Sequence, residues 1–165
     1  MEAWINKLYE TFIETEYYKL LLEGLGNTLI ITAGALVIGV VIGMLIALIK
    51  FFAEDVPSLR PLSFICDLYV TVIRGIPVVV LLLIFYYIIM VSAEGTAVGI
   101  ITFGINSGAY MAELIRGGIG AVDRGQMEAG RSLGMSRLQA VRKVVFPQAV
   151  KNILPAIGNE FISLL

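Results

Sequence analysis

The chain has 165 residues, of which 58% are hydrophobic and 15% charged, with 12 Lys and Arg against 13 Asp and Glu. Soluble proteins carry about 25% charged residues, so a soluble globular class is excluded, and the length bounds the chain to one domain. It has no histidine and a lone Cys66, which rules out ordinary zinc sites, intramolecular disulfides and Ser/His or Cys/His nucleophile pairs.

Met1 to Glu23 holds five glutamates against Lys7 and Lys19, with Trp4, Tyr9, Phe12, Tyr17 and Tyr18. It lacks the basic start and small-residue cleavage site of a signal peptide. Aromatics suit a membrane interface and the acidic balance suits the outer face. Ile5, Leu8, Phe12 and Ile13 fit one amphipathic helix lying on the membrane. Residues 1–23 are therefore read as an extracytoplasmic or interfacial segment, and 24–165 as the membrane domain.

Gly24 to Ile49 is uncharged and long enough to cross a hydrocarbon core of about 30 Å as a helix. Asn27-Thr28 is expected to cap its outer end, and Lys50 marks the cytoplasmic one. Ala35, Gly39, Gly43 and Ala47 recur every four residues and leave one smooth face for another helix. That face serves packing within the chain or, second, a subunit interface.

Phe51 to Pro61 reads as a short polar connector. From Leu62 to Ser92, Asp67 and Arg74 precede the uncharged run Gly75–Ala93. One reading is a single tilted helix; the other is an interfacial helix to Ile73 and a span starting at Gly75-Ile76-Pro77, with proline in the first turn. Arg74 inside lipid costs about 2.5 kcal/mol or more, so it sits near headgroups, pairs with an acid or lines a wet cavity. Glu94-Gly95-Thr96 forms the outer turn, and Gly95 to Ala112 is the third uncharged run. Asn106, Ser107, Gly108 and Tyr110 lie in or near it, and such small and hydroxylated residues ordinarily pack helices.

The segment from about 116 to 151 is polar, with seven Lys or Arg and only Asp123 and Glu128 as acids. Lys and Arg near span ends resist translocation, so this loop is assigned to the cytoplasm and the N-terminus to the outside. Met127, Leu133, Leu138, Val141 and Val145 recur at roughly helical spacing, with arginines between them. Gly130 and Gly134 are expected to break the run, and Ser136 to cap a second short helix. The product is a compact knob fitting a partner's groove, or a basic loop lying on headgroups. Beyond Pro147, Asn152–Asn159 and Phe161–Leu165 are apolar enough to begin a fourth span, interrupted by Pro155 and Glu160. The apolar end at Leu165 reads as a C-terminal truncation.

Glu128-Ala129, Gly134 and Val144-Val145-Phe146-Pro147 stand at the spacing of the EAA loop, and in this they resemble the permease subunits of ABC importers. Gly130 replaces the usual third alanine, at a cost of roughly 1 kcal/mol in helix stability. AYMAELIRGGIGAVDRGQMEAGRSLG resembles the polar amino-acid permeases throughout, departing at Asp123, where proline is common. TVIRGIPVVVLLLIFYY resembles their Arg-Gly-x-Pro stretch, and the likeness runs from Gly24 to Leu165.

The resemblance implies an all-α, polytopic, type I importer fold in a bacterial plasma (inner) membrane. It implies partners too: a cytoplasmic ABC ATPase dimer that binds ATP and Mg, a second permease subunit in a homo- or heterodimer, and an extracytoplasmic solute-binding protein. The loop helix would dock in the ATPase, with Glu128, Ala129 and Gly134 setting its geometry and Arg131 and Arg137 as polar contacts. Asn159, Glu160 and Arg74 are the residues expected along a substrate path. Glu160 is equally read as the partner of Arg74 or another cation.

No G-x-x-x-x-G-K-[ST] loop is present, so ATP hydrolysis belongs to the partner and the chain itself carries no catalytic or metal site. The basic loop lacks the interleaved aromatics that stack bases, so nucleic acid is not expected as a partner. Beside a permease for polar amino acids stand a permease for another small solute, a passive channel or scaffold, and a membrane enzyme, for which acid/base residues are scarce.

Overall fold

The structure, a computed structural model, describes residues 16–165 apart from Asp55, together with Trp4 and Tyr9. The interfacial helix expected through Ile5, Leu8, Phe12 and Ile13 lies outside the described residues. All regular elements described are helical. They are α1 (Tyr17–Ala53), α2 (Arg60–Gly75), α3 (Val78–Ile84), α4 (Gly95–Gly120), α5 (Arg124–Ser132), α6 (Arg137–Ala140) and α7 (Phe146–Leu164).

Among the described residues α1 and α4 are long and apolar enough to cross a membrane. A third span counts if Pro57–Gly75 and Val78–Ile89, bent by 103°, form one. The region is two helical pieces, as in the second reading, but Val78–Ile89 does not count as a span by itself; proline is the cause of the break. It disfavours helical dihedrals in the residue before it, and Ile76 is accordingly extended at φ −93°, ψ 127°. Pro77 is the cap of α3 and not a member of its first turn.

α1 starts at Tyr17, so Asn27 and Thr28 lie inside it and cap nothing. Thr28 Oγ1 instead donates to the Gly24 carbonyl at 3.0 Å, the back-bond by which threonine satisfies itself within a helix. α7 is not among the helices long and apolar enough to span, because Lys151, Asn152, Asn159 and Glu160 interrupt its apolar content.

The α1–α4 pair is the core of the molecule, and the four-residue stripe makes it. Ala35, Gly39, Gly43 and Ala47 are all buried against the small residues Gly104, Ser107, Gly108 and Ala112 of α4. A Cβ on Gly39 would come within 2.6 Å of Ser107 Oγ, and one on Gly104 within 2.7 Å of Ile38 Cγ2. The backbones approach closely because those atoms are missing. Gly108 opens a further route, since the Tyr69 hydroxyl of α2 donates to the Ile105 carbonyl at 2.5 Å across the space a Gly108 Cβ would fill.

A second cluster of Met111, Ile115, Val122, Val145, Ala149 and Ile153, with Ala47, joins α1, α4 and α7. It fastens the polar loop to the spans. Between α6 and α7 the chain takes a π-helical turn, Val141–Val145. Pro147 has no N–H for the Lys143 carbonyl and its ring crowds that oxygen, which a widened turn relieves.

Candidate functional site

The three residues expected along a substrate path meet. Arg74 from the end of α2 and Asn159 and Glu160 from α7 line one cavity of about 330 Å³, together with Tyr110, Glu113, Leu114, Ala156 and Ser163. Helical spacing explains the set: Ala156, Asn159, Glu160 and Ser163 fall on one face of α7, and Tyr110, Glu113 and Leu114 on one face of α4. The Arg74 guanidinium lies over the Tyr110 ring, 5.0 Å from its centre, where the quadrupole of the ring attracts a cation.

Glu160 does not pair with Arg74. Its Oε1 accepts a hydrogen bond from Ser107 Oγ at 2.8 Å, and it has no ion pair among the described residues. Ser107 was expected only to pack; its hydroxyl aims the carboxylate as well. Pro155 lies within α7 and denies the Lys151 carbonyl its helical donor.

Beside this cavity lies a charged junction, of which only the Glu113–Arg116 pair, three residues apart on α4, follows from spacing. Lys50 Nζ is 2.6 Å from Asp67 Oδ1 and 3.6 Å from Glu113 Oε1. Arg116 Nη2 is 2.8 Å from Glu113 Oε2. The pairs tie α1, α2 and α4 at one end, and Lys50, Asp67 and Arg116 open onto a larger cavity of about 1040 Å³. Glu128, Arg131 and Arg137 of the loop line that cavity too.

The loop folds as a knob. Asp123 Oδ1 accepts from Gly125 N at 2.7 Å to cap α5, and a Cβ on Gly125 would crowd that oxygen at 2.7 Å. Gly134 sits at φ +83° and ends α5: Met135 N donates to the Gly130 carbonyl at 3.1 Å and Gly134 N to the Arg131 carbonyl at 3.0 Å. This is the Schellman pattern, which favours glycine at the left-handed position. Ser136 then caps α6 reciprocally with Gln139, at 2.8 and 3.3 Å.

One expectation changes here. Gly130 does not break the helix; it is buried inside α5, and its Cβ would stand 3.2 Å from Ala140 Cβ, so it lets α5 and α6 close together. Leu133 and Leu138 are exposed at 80% and 63%, and Glu128, Ala129, Arg131 and Gly134 are exposed with them. The Arg137 guanidinium lies over the Phe51 ring of α1, 5.3 Å from its centre.

Two or three apolar spans, a bent helix pair and a capped polar knob define a polytopic α-helical membrane protein. Residues 39–165 match the family described as the binding-protein-dependent transport system inner membrane component, and the chain belongs to it. That family is an inner-membrane component of transport systems, and the described helices fit a multi-pass member of it. A putative glutamine transport system permease protein of Rickettsia bellii (strain RML369-C) is 39% identical over 149 residues, 88% of this chain and 66% of the relative. The arginine transport system permease protein ArtQ of Bacillus subtilis (strain 168) is 37% identical over 148 residues, 87% of this chain and 65% of the relative. The chain thus spans about two thirds of the length of such relatives. A crystal structure of an amino acid ABC transporter with histidines superposes with a TM-score of 0.81 at 44% identity, over 92% of this chain and 70% of that one. The inward-facing MetNI methionine ABC transporter gives 0.72 at 25% identity, over 89% and 70%.

Proposed function

We propose that the chain is the permease subunit of an ABC importer for polar amino acids. A separate ATPase dimer, holding ATP and Mg, drives it, and an extracytoplasmic binding protein supplies it. The observation that carries the substrate class is the small cavity, which presents Arg74 and Glu160 to one ligand-sized space of about 330 Å³. A free α-amino acid carries one carboxylate and one ammonium. Arg74 answers the first by a charge-assisted fork and Glu160 the second, with Asn159 completing the polar set. Glutamine and arginine systems among the relatives support the same class.

In this reading Arg116 to Lys151 faces the cytoplasm and the N-terminus lies outside, by the excess of Lys and Arg in the loop. The exposed Leu133 and Leu138, beside Glu128, Ala129, Arg131 and Gly134, form the surface that enters the ATPase, with Arg137, stacked on Phe51 of α1, as a further polar contact. A second permease subunit, identical or related, closes the path. The test is Glu160→Gln in the assembled transporter. Uptake weakens or shifts away from cationic amino acids, with the complex as stable as before. Loss of yield or thermal stability with unaltered preference among surviving complexes would refute the assignment.

A further inference from the structure

Glu113 belongs to both ends of the charged path. It lines the small cavity with Arg74, Asn159 and Glu160, and it pairs with Arg116 and Lys50, which line the larger one. On α4 it stands six positions beyond Ser107, the residue that holds Glu160, which is about 9 Å along the axis. Tyr110 lies between them under the Arg74 guanidinium. Two carboxylates, Glu160 of α7 and Glu113 of α4, therefore line one cavity with the Arg74 cation, and Glu113 is only partly exposed, at 28%.

We propose that Glu113 is a second binding residue for the ammonium or guanidinium group of the substrate, receiving it from Glu160 on the way to the larger cavity. This rests on the transport reading above. Lys50 and Arg116 close that exit by occupying the Glu113 carboxylate until a cationic group displaces them. The distances suit such an exchange. Lys50 holds Asp67 at 2.6 Å as well as Glu113 at 3.6 Å, so its release from Glu113 leaves it an acid to pair with. Arg116 is 56% exposed in its side chain and turns to water when displaced.

The experiment uses the complete transporter in proteoliposomes, with its ATPase and binding protein, and labelled arginine and glutamine as probes. Glu113→Gln lowers the maximal uptake rate about tenfold or more with KM for the loaded binding protein unchanged, the pattern of a lost later step. Glu113→Asp recovers to about a third of the wild-type rate, and the loss is deeper for arginine, with two cationic groups, than for glutamine. Arg116→Gln breaks the same ion pair but leaves the carboxylate; it keeps uptake within about threefold of wild type while consuming more ATP per substrate. Equal losses in Glu113→Gln and Arg116→Gln would mean that only the ion pair matters and would overturn the inference. Should Glu113→Gln fail to assemble, Glu113→Asp decides, and a wild-type rate in it is equally fatal. Glu160→Gln is run alongside. If it leaves uptake and preference intact, the cavity reading itself fails; if it impairs uptake while Glu113→Gln does not, the exit step alone fails.

Discussion

Glycine has opposite duties in the α1–α4 pair and at the end of α5. In the α1–α4 pair the glycines are ordinary in backbone and crowded in space: Gly39, Gly43, Gly104 and Gly108 all face atoms that a Cβ would strike. In the knob Gly134 has nothing within 4 Å, and its φ of +83° is what matters. The first kind sets how closely two spans approach; the second sets the direction in which a surface helix leaves. A side chain added to one should cost assembly, and to the other coupling.

The sharpest way to break this contrast is Gly43→Val. Its Cβ would overlap Met111 Cβ and reach within 2.8 Å of the Ala112 backbone nitrogen, and overpacking of this kind costs about 1–3 kcal/mol or more. Backbone cannot rotate away as a side chain can, so the complex should be recovered in much lower yield and melt earlier. Thermal unfolding of the purified complex measures it.

Gly134→Val comes next, with a left-handed β-branched residue costing on the order of 1–3 kcal/mol. The strain falls on the knob alone, so membrane insertion and assembly should persist while ATP hydrolysis runs without matching uptake. The ratio of ATP hydrolysed to substrate transported reads this, and an unchanged ratio would count heavily against coupling through α5 and α6. Asp123→Ala removes the cap of α5, worth about 1 kcal/mol, and should raise amide exchange in Arg124–Ser132 without lowering the melting temperature of the spans. The smallest effect is expected at Gly24, where nothing lies within 4 Å and φ is helical. Gly24→Ala should leave stability unchanged or raise it by up to about 1 kcal/mol, by the same unfolding assay.

The periodic features were legible in the sequence because they are local. The stripe Ala35-Gly39-Gly43-Ala47, the uncharged runs and the Ser136 cap each follow from spacing or from a residue's own chemistry. Where long-range pairing decided the outcome, local rules failed. Gly130 looks like a helix breaker until Ala140 is seen against it, and the helical spacing of Leu133 and Leu138 gives no sign that both face outward. Arg74, Asn159 and Glu160 were each conspicuous as polar residues in apolar surroundings. That Glu160 takes Ser107 as its partner, and that Lys50, Asp67, Glu113 and Arg116 form one junction, depends on which helices adjoin, and no spacing within one segment encodes that.

The pairing of α1 with α4 also bears on how the protein is made. The glycine face of α1 finds its neighbour not in the segment that follows it but in one roughly 70 residues later, which a ribosome adding about 5–20 residues per second delivers after about 3–14 s. For that interval the glycine face has only lipid to meet, and α1 must stay inserted by its own oiliness. It is the more apolar of the two helices, with a mean hydropathy of 2.8 in its most apolar window against 1.3 for α4, and the less buried there, at 28% against 56%. The self-sufficient helix is synthesised first and waits; the dependent one arrives to a partner already in place. Exchanging the two in the order of synthesis should therefore burden the insertion machinery even where every final contact is the same.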